Sequence, residues 1–153
     1  MRLASLRRFS AQERRDHRYR LREQSLEAVI ALMERLIYDI ARLCAGHSVV
    51  MDEYVAPPLQ QRLRETLRPF LQDDCVLLPD FGAHAEMRVE GDLVQAGQPV
   101  FATVEIDDAS RIEAANGLVH ALPSRRIVLR ATISIDAGAI EDVSIALRPP
   151  AAA

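Results

Sequence analysis

The stretch YRLREQSLEAVIALMERLIYDIARLCA, Tyr19 to Ala45, decides the architecture. Leu26, Met33 and Ile40 recur every seven residues, and Val29, Leu36 and Leu43 repeat that step half a repeat away. Ile30, Ile37 and Cys44 sit beside the second row. On an α-helix these rows merge into one broad apolar stripe. Glu27, Glu34, Arg35 and Arg42 fall on the opposite, wet side, where Arg35 is expected to pair with Asp39 one turn on. The stripe is too wide and too short for a two-stranded coiled-coil seam, so the pattern predicts a helix lying on a sheet or in a bundle. Gly46 is a suitable stop, which bounds this helix at 19–46.

Working towards the N-terminus, residues 1–18 read as a charged arm. Residues 1–22 hold eight Arg against Glu13 and Asp16, whereas residues 71–153 hold six Arg against thirteen carboxylates. A basic arm on an acidic body suits a polyanion, an anionic membrane, an acidic partner or the body itself. Arg7, Arg8, Arg14, Arg15, Arg18, Arg20 and Arg22 are the candidate polyanion-binding residues, since each guanidinium offers a planar fork to phosphate or carboxylate. Glu13, Asp16, Glu23 and Glu27 are interspersed and weaken that field. Met1–Gln12 is rich in Arg and free of acid, which keeps a transit peptide open. No apolar h-region follows it, and no apolar run approaches the ~20 residues a membrane span needs. Cytoplasm is the expected location.

Working towards the C-terminus, Ser48–Ala56 reads as a connector, and Pro57-Pro58 opens a second helix over 57–71, short or kinked because Pro69 falls in its last turn. From Cys75 the period moves towards two, and residues 75–148 read as β-rich. Short runs are expected at Cys75–Leu78, His84–Val94 and Val100–Ile106. The clearest strands are Ile127–Ile135 and Ile140–Leu147, joined through Asp136-Ala137-Gly138 as a hairpin. Ala109–Leu122 fits either a helix capped by Asp108 or a hairpin turning at Asn116-Gly117. The hairpin is favoured, because Asn-Gly is costly inside a helix. The tail, 149–153, is expected to fray. The expected class is therefore α+β: one domain over 19–148, with a long N-terminal helix and a short second helix on a mostly antiparallel sheet of about four to six strands.

Composition removes several chemistries. The chain has 153 residues, 49% apolar and 27% charged, which suits one globular domain. All nineteen basic residues are Arg. A P-loop, a PLP Schiff base, a kinase strand Lys and a Ser-Lys dyad all need a Lys the chain lacks. Aromatics are only 5%, with no Trp, which leaves little for base stacking.

The remaining motifs are weak. Cys44-Ala-Gly-His47, with Cys75 and His84, could supply zinc ligands, but close-spaced pairs are missing and Cys44 lies on the apolar stripe. His84-Ala-Glu86 lacks the P-C-x-x-C of zinc deaminases. Asp80-Phe81-Gly82 stands without the rest of a kinase, so a turn explains it better. Glu105, Asp107 and Asp108, with Glu90, could hold a divalent ion, but a charged loop start turned by Asp108 explains them as well. No catalytic residue, metal or cofactor is assigned. The leading expectation is a non-enzymatic interaction or assembly module, a homo-oligomeric adaptor, chaperone or structural subunit. Its partner surface would be the stripe Leu26, Val29, Ile30, Met33, Leu36, Ile37, Ile40 and Leu43, taking a second copy or another protein. The alternatives are nucleic-acid binding through the arm, and a small metal-dependent hydrolase using Glu86, Glu90, Glu105 or Asp107.

Overall fold

The expected long helix is present and longer than its stripe. In the computed structural model, which describes residues 10–68, 75–80, 85–95, 97–122 and 125–148, α1 spans Ala11–Cys44. It starts in the charged arm because Ser10 caps it, accepting a hydrogen bond from the Glu13 N–H at 3.1 Å. A Ser followed three residues later by Glu is a helix-start signal that apolar periodicity does not register. The other end closes as expected at Gly46, which adopts φ +83°. There the Gly46 N–H donates to the Leu43 carbonyl and the His47 N–H to the Arg42 carbonyl, pairing carbonyls the last turn would leave open.

Only the second half of α1 carries core residues. Val29, Met33, Leu36, Ile40, Leu43 and Cys44 are buried, and nothing from Ala11 to Ala28 is. That first half is about 27 Å of helix without a buried side chain. α2 (Pro57–Leu67) follows, with Pro57 and Pro58 at its first two positions, where a missing N–H costs nothing, and Leu59, Leu63 and Leu67 turned inward. The expected continuation to residue 71, with its kink at Pro69, lies outside the described residues.

The β-rich half forms two antiparallel sheets, a division the alternation did not reveal. Four strands, β2 (Ala85–Glu90), β3 (Val100–Asp108), β6 (Arg125–Ser134) and β7 (Ala139–Arg148), pair in the order β2-β3-β6-β7. Three short strands, β1 (Val76–Leu78), β4 (Arg111–Glu113) and β5 (Val119–Ala121), form the second, in the order β1-β4-β5. β6 and β7 make the expected hairpin, with a register shift at Thr132/Ile133. β4 and β5 are the favoured hairpin at Asn116-Gly117, where Gly117 takes φ +80° and the Ala114 N–H meets the Leu118 carbonyl at 2.9 Å. Gly91 ends β2 with φ +123°, and a Cβ there would meet the Pro99 carbonyl oxygen at 3.2 Å, so only glycine fits without strain.

One face of the larger sheet carries the core. Val100, Ala102, Val104 and Ile106 of β3 join Leu129, Ala131 and Ile133 of β6 and Ile140 and Val143 of β7. They form one cluster with the α1 stripe, the connector residues Val49, Met51, Tyr54 and Val55, and the leucines of α2. That connector also covers the β7 edge. Val55 bridges Ile140, and the Ile140 N–H donates to the Tyr54 carbonyl at 2.7 Å. Arg62 of α2 adds an ion pair to Asp142 and reaches the Val143 carbonyl at 3.4 Å. No helix among the described residues is long and apolar enough to cross a membrane.

Asp39 holds the connector to the helix. The Tyr54 hydroxyl donates to its carboxylate at 2.5 Å, and Asp39 is itself buried. Arg35 does not take Asp39 as its partner. It turns to Glu53 at 2.9 Å and lies over the Tyr54 ring, 4.4 Å from its centroid. Burial, then the Asp39 hydrogen bond and charge, push the Tyr54 phenol well above its ordinary value, so it stays a donor at physiological pH. Tyr54→Phe is expected to lose about 1–3 kcal/mol, because it leaves a buried carboxylate short of a donor while keeping the ring. Urea unfolding followed by far-UV circular dichroism measures it; a loss below about 0.5 kcal/mol would show the bond to be dispensable.

Candidate interaction surface

The eight stripe residues divide into two sets. Val29, Met33, Leu36, Ile40 and Leu43 are spent on the chain's own sheet, each at most 7% exposed. Leu26 is 36% exposed, and Ile30 and Ile37 are half-buried. Tyr19, which the stripe reading left out, belongs with this second set and is 64% exposed.

Helix geometry puts that second set on one flank. At about 100° per residue, Tyr19, Leu26, Ile30 and Ile37 lie roughly 140–180° around the axis from Asp39. Asp39 faces Tyr54, and Tyr54 covers β7. The apolar shoulder therefore faces the other end of the sheet, the β2 end. The inward residues of β2, Met87 and Val89, are half-buried and pack on the same core. One flank of the molecule is closed by the connector and α2, while the other presents partly covered apolar side chains.

Of the arginine set, Arg14, Arg15 and Arg18 line an open pocket on α1 together with Ala11 and His17. Arg14, Arg15, Arg18, Arg20 and Arg22 are exposed along the unburied half of α1, and Arg7 and Arg8 lie outside the described residues. From Ser10 to Ala28 five Arg face four carboxylates, which leaves little net field. Part of that field is spent on the chain itself. The Asp92 carboxyl lies below its ordinary range chiefly because it accepts the Val94 and Gln95 N–H groups, with a smaller contribution from Arg18. Nearby, a cleft of about 250 Å³ runs between Leu21 and Ser25 of α1 and the loops before β3 and after β6.

The acidic residues of the sheet are engaged or scattered. Glu105 and Asp107 share Arg126, at 3.2 and 3.3 Å, on the face of β3 away from the core. Asp108 points the opposite way and is buried. It accepts from the Ser110 N–H at 2.9 Å, from the Ser110 hydroxyl, and from the Arg125 Nε–H at 2.5 Å. Ser110 in turn accepts the Asp80 N–H, so this node ties β1 to the ends of β3 and β6. Cys44 lies close enough to this node for the Asp108 charge, together with the larger effect of burial, to push its thiol up to about 11. A thiol held there stays protonated at neutral pH and acts as a small hydrophobe. Among the described residues no three of His, Cys, Asp and Glu gather as a metal site. His84, part of two motif readings, lies outside them, as do Phe81 and Gly82.

No protein-family profile matches the chain, and neither a curated protein nor a solved structure matches it.

Proposed function

We propose that the chain is an assembly module that works by self-association and not by catalysis. The observation that carries this reading is the apolar shoulder Tyr19, Leu26, Ile30 and Ile37, exposed or half-buried on the flank of α1 away from Asp39 and the connector. Scattered apolar residues on a surface need no explanation, but a row of four along one side of a helix, continuous with half-buried sheet residues, forms a patch. A closed homo-oligomer is the commonest way to cover such a patch. The unburied half of α1 adds support. A helix of that length and polarity is marginal alone in water, and a partner beside it would stabilise it.

The hydrolase reading draws less support, because Glu105 and Asp107 are taken up by Arg126. The nucleic-acid reading draws less from the described arginines, whose field the interleaved carboxylates reduce. Sedimentation velocity of the full chain from low to high micromolar concentration tests the proposal. A concentration-dependent oligomer is expected, and a monomer throughout would overturn it.

A further inference from the structure

We propose that β2 is the strand through which two copies join, edge to edge and antiparallel, into one sheet running across both. This deepens the self-association reading and rests on it. The two edges of the larger sheet are treated differently. The β7 edge is covered by Tyr54, Val55 and Arg62. The β2 edge pairs only inward, with β3, and no described residue outside that pairing hydrogen-bonds its backbone. A bare edge is a template for another strand.

The side chains of β2 select a second copy as that strand. Glu86, Arg88 and Glu90 follow one another along its outer face, exposed, and none makes an ion pair with another described residue. Edge strands that guard against pairing carry charges that repel a like copy. This pattern does the reverse. Two copies centred on Met87 set Glu86 of each opposite Arg88 of the other, and two copies centred on Val89 set Arg88 of each opposite Glu90 of the other. Centres on Glu86, Arg88 or Glu90 each set like charges opposite one another, so the charge pattern favours the centres on Met87 and Val89 and narrows register as well as partner. Both favourable centres keep Met87 and Val89 on the core side, next to their counterparts.

The two-fold axis that joins the strands also places the helices. It stands perpendicular to the sheet between the paired β2 strands, so both copies of α1 lie on the same side. The apolar shoulder faces the β2 end, so Leu26, Ile30 and Ile37 of both copies line the cleft above the joined strands. Six residues of strand pairing bury too little for a stable dimer, and the shoulder supplies the apolar remainder.

The test is a charge exchange in the full chain. Arg88→Glu gives a strand with three acidic residues, and the double variant Glu86→Arg/Glu90→Arg gives one with three basic residues. These side chains are exposed, so each variant is expected to keep the wild-type circular dichroism spectrum and melting behaviour. Wild type is expected to sediment as a dimer, each variant to dimerise at least about tenfold more weakly, and an equimolar mixture to restore the dimer. An oligomer that persists in both variants overturns the β2 inference and leaves self-association standing. Two weakened variants that do not restore each other also overturn it. A monomeric wild type overturns both readings together.

Discussion

Asp108→Ala is expected to cost about 2–4 kcal/mol and to lower the melting temperature by roughly 5–15 °C. The carboxylate is almost wholly buried and accepts from two groups of Ser110 and from Arg125. Removing one partner of a buried ion pair commonly costs about 3–5 kcal/mol, since the other charge is stranded away from water. Here the Arg125 side chain is 20% exposed and can turn partly to solvent, which moves the cost below the top of that range. Asp108→Asn separates charge from hydrogen bonding. It keeps an acceptor for Ser110 and is expected to lose about half as much. Thermal and urea unfolding of both variants measure the two contributions. Equal losses in the two would show that the charge, and not the bond to Ser110, holds the node. The smaller sheet is expected to loosen first, because β1 joins the larger sheet's strand ends through Ser110. Earlier hydrogen exchange at β1 and β4 than at β3 would report that.

How much of this was legible follows from where each signal lies. The α1 core positions were readable because a seven-residue recurrence survives burial unchanged, and five of the six residues that recur are buried in the core, Leu26 at the N-terminal end being the exception. The two hairpins were readable because their turns are local: Asn116-Gly117 and Asp136-Ala137-Gly138 need nothing from the rest of the chain. The start of α1 was not read, because periodicity fades in the charged arm while the capping pair Ser10 and Glu13 carries the boundary. The division into two sheets was not legible either. Val76–Leu78 pairs with Arg111–Glu113, more than thirty residues away, and alternation says only that a strand exists, not which strand it joins. Asp39 and Asp108 show the same limit in side chains. On the sequence each is a charged residue beside other charges. What makes them structural is a tyrosine fifteen residues on and an arginine seventeen residues on.

The adjacent pair Leu36 and Ile37 separates the two uses of the α1 stripe. Leu36 is fully buried in the chain's own core, so Leu36→Ala is expected to cost about 2–5 kcal/mol through lost burial and the cavity left behind. At this chain length that is a fall of roughly 5–15 °C in melting temperature. Ile37 lies around the helix on the shoulder, half-buried against the edge of the same core. Ile37→Ala is expected to cost about 1 kcal/mol in a monomeric sample, since less of its side chain leaves water within one copy. Its larger effect is expected on association, where the β2 interface needs the shoulder as its apolar part. The two substitutions thus predict opposite rankings in two measurements: Leu36→Ala is worse in urea unfolding under dilute conditions, and Ile37→Ala is worse in the dimer dissociation constant by sedimentation. Linkage makes this a demanding comparison, because a dimer that binds only folded chains raises apparent stability with concentration. Unfolding midpoints are therefore to be compared at two concentrations. Wild type and Leu36→Ala should both shift upward as concentration rises, and Ile37→Ala should shift less. Equal shifts in all three would place the shoulder outside the interface.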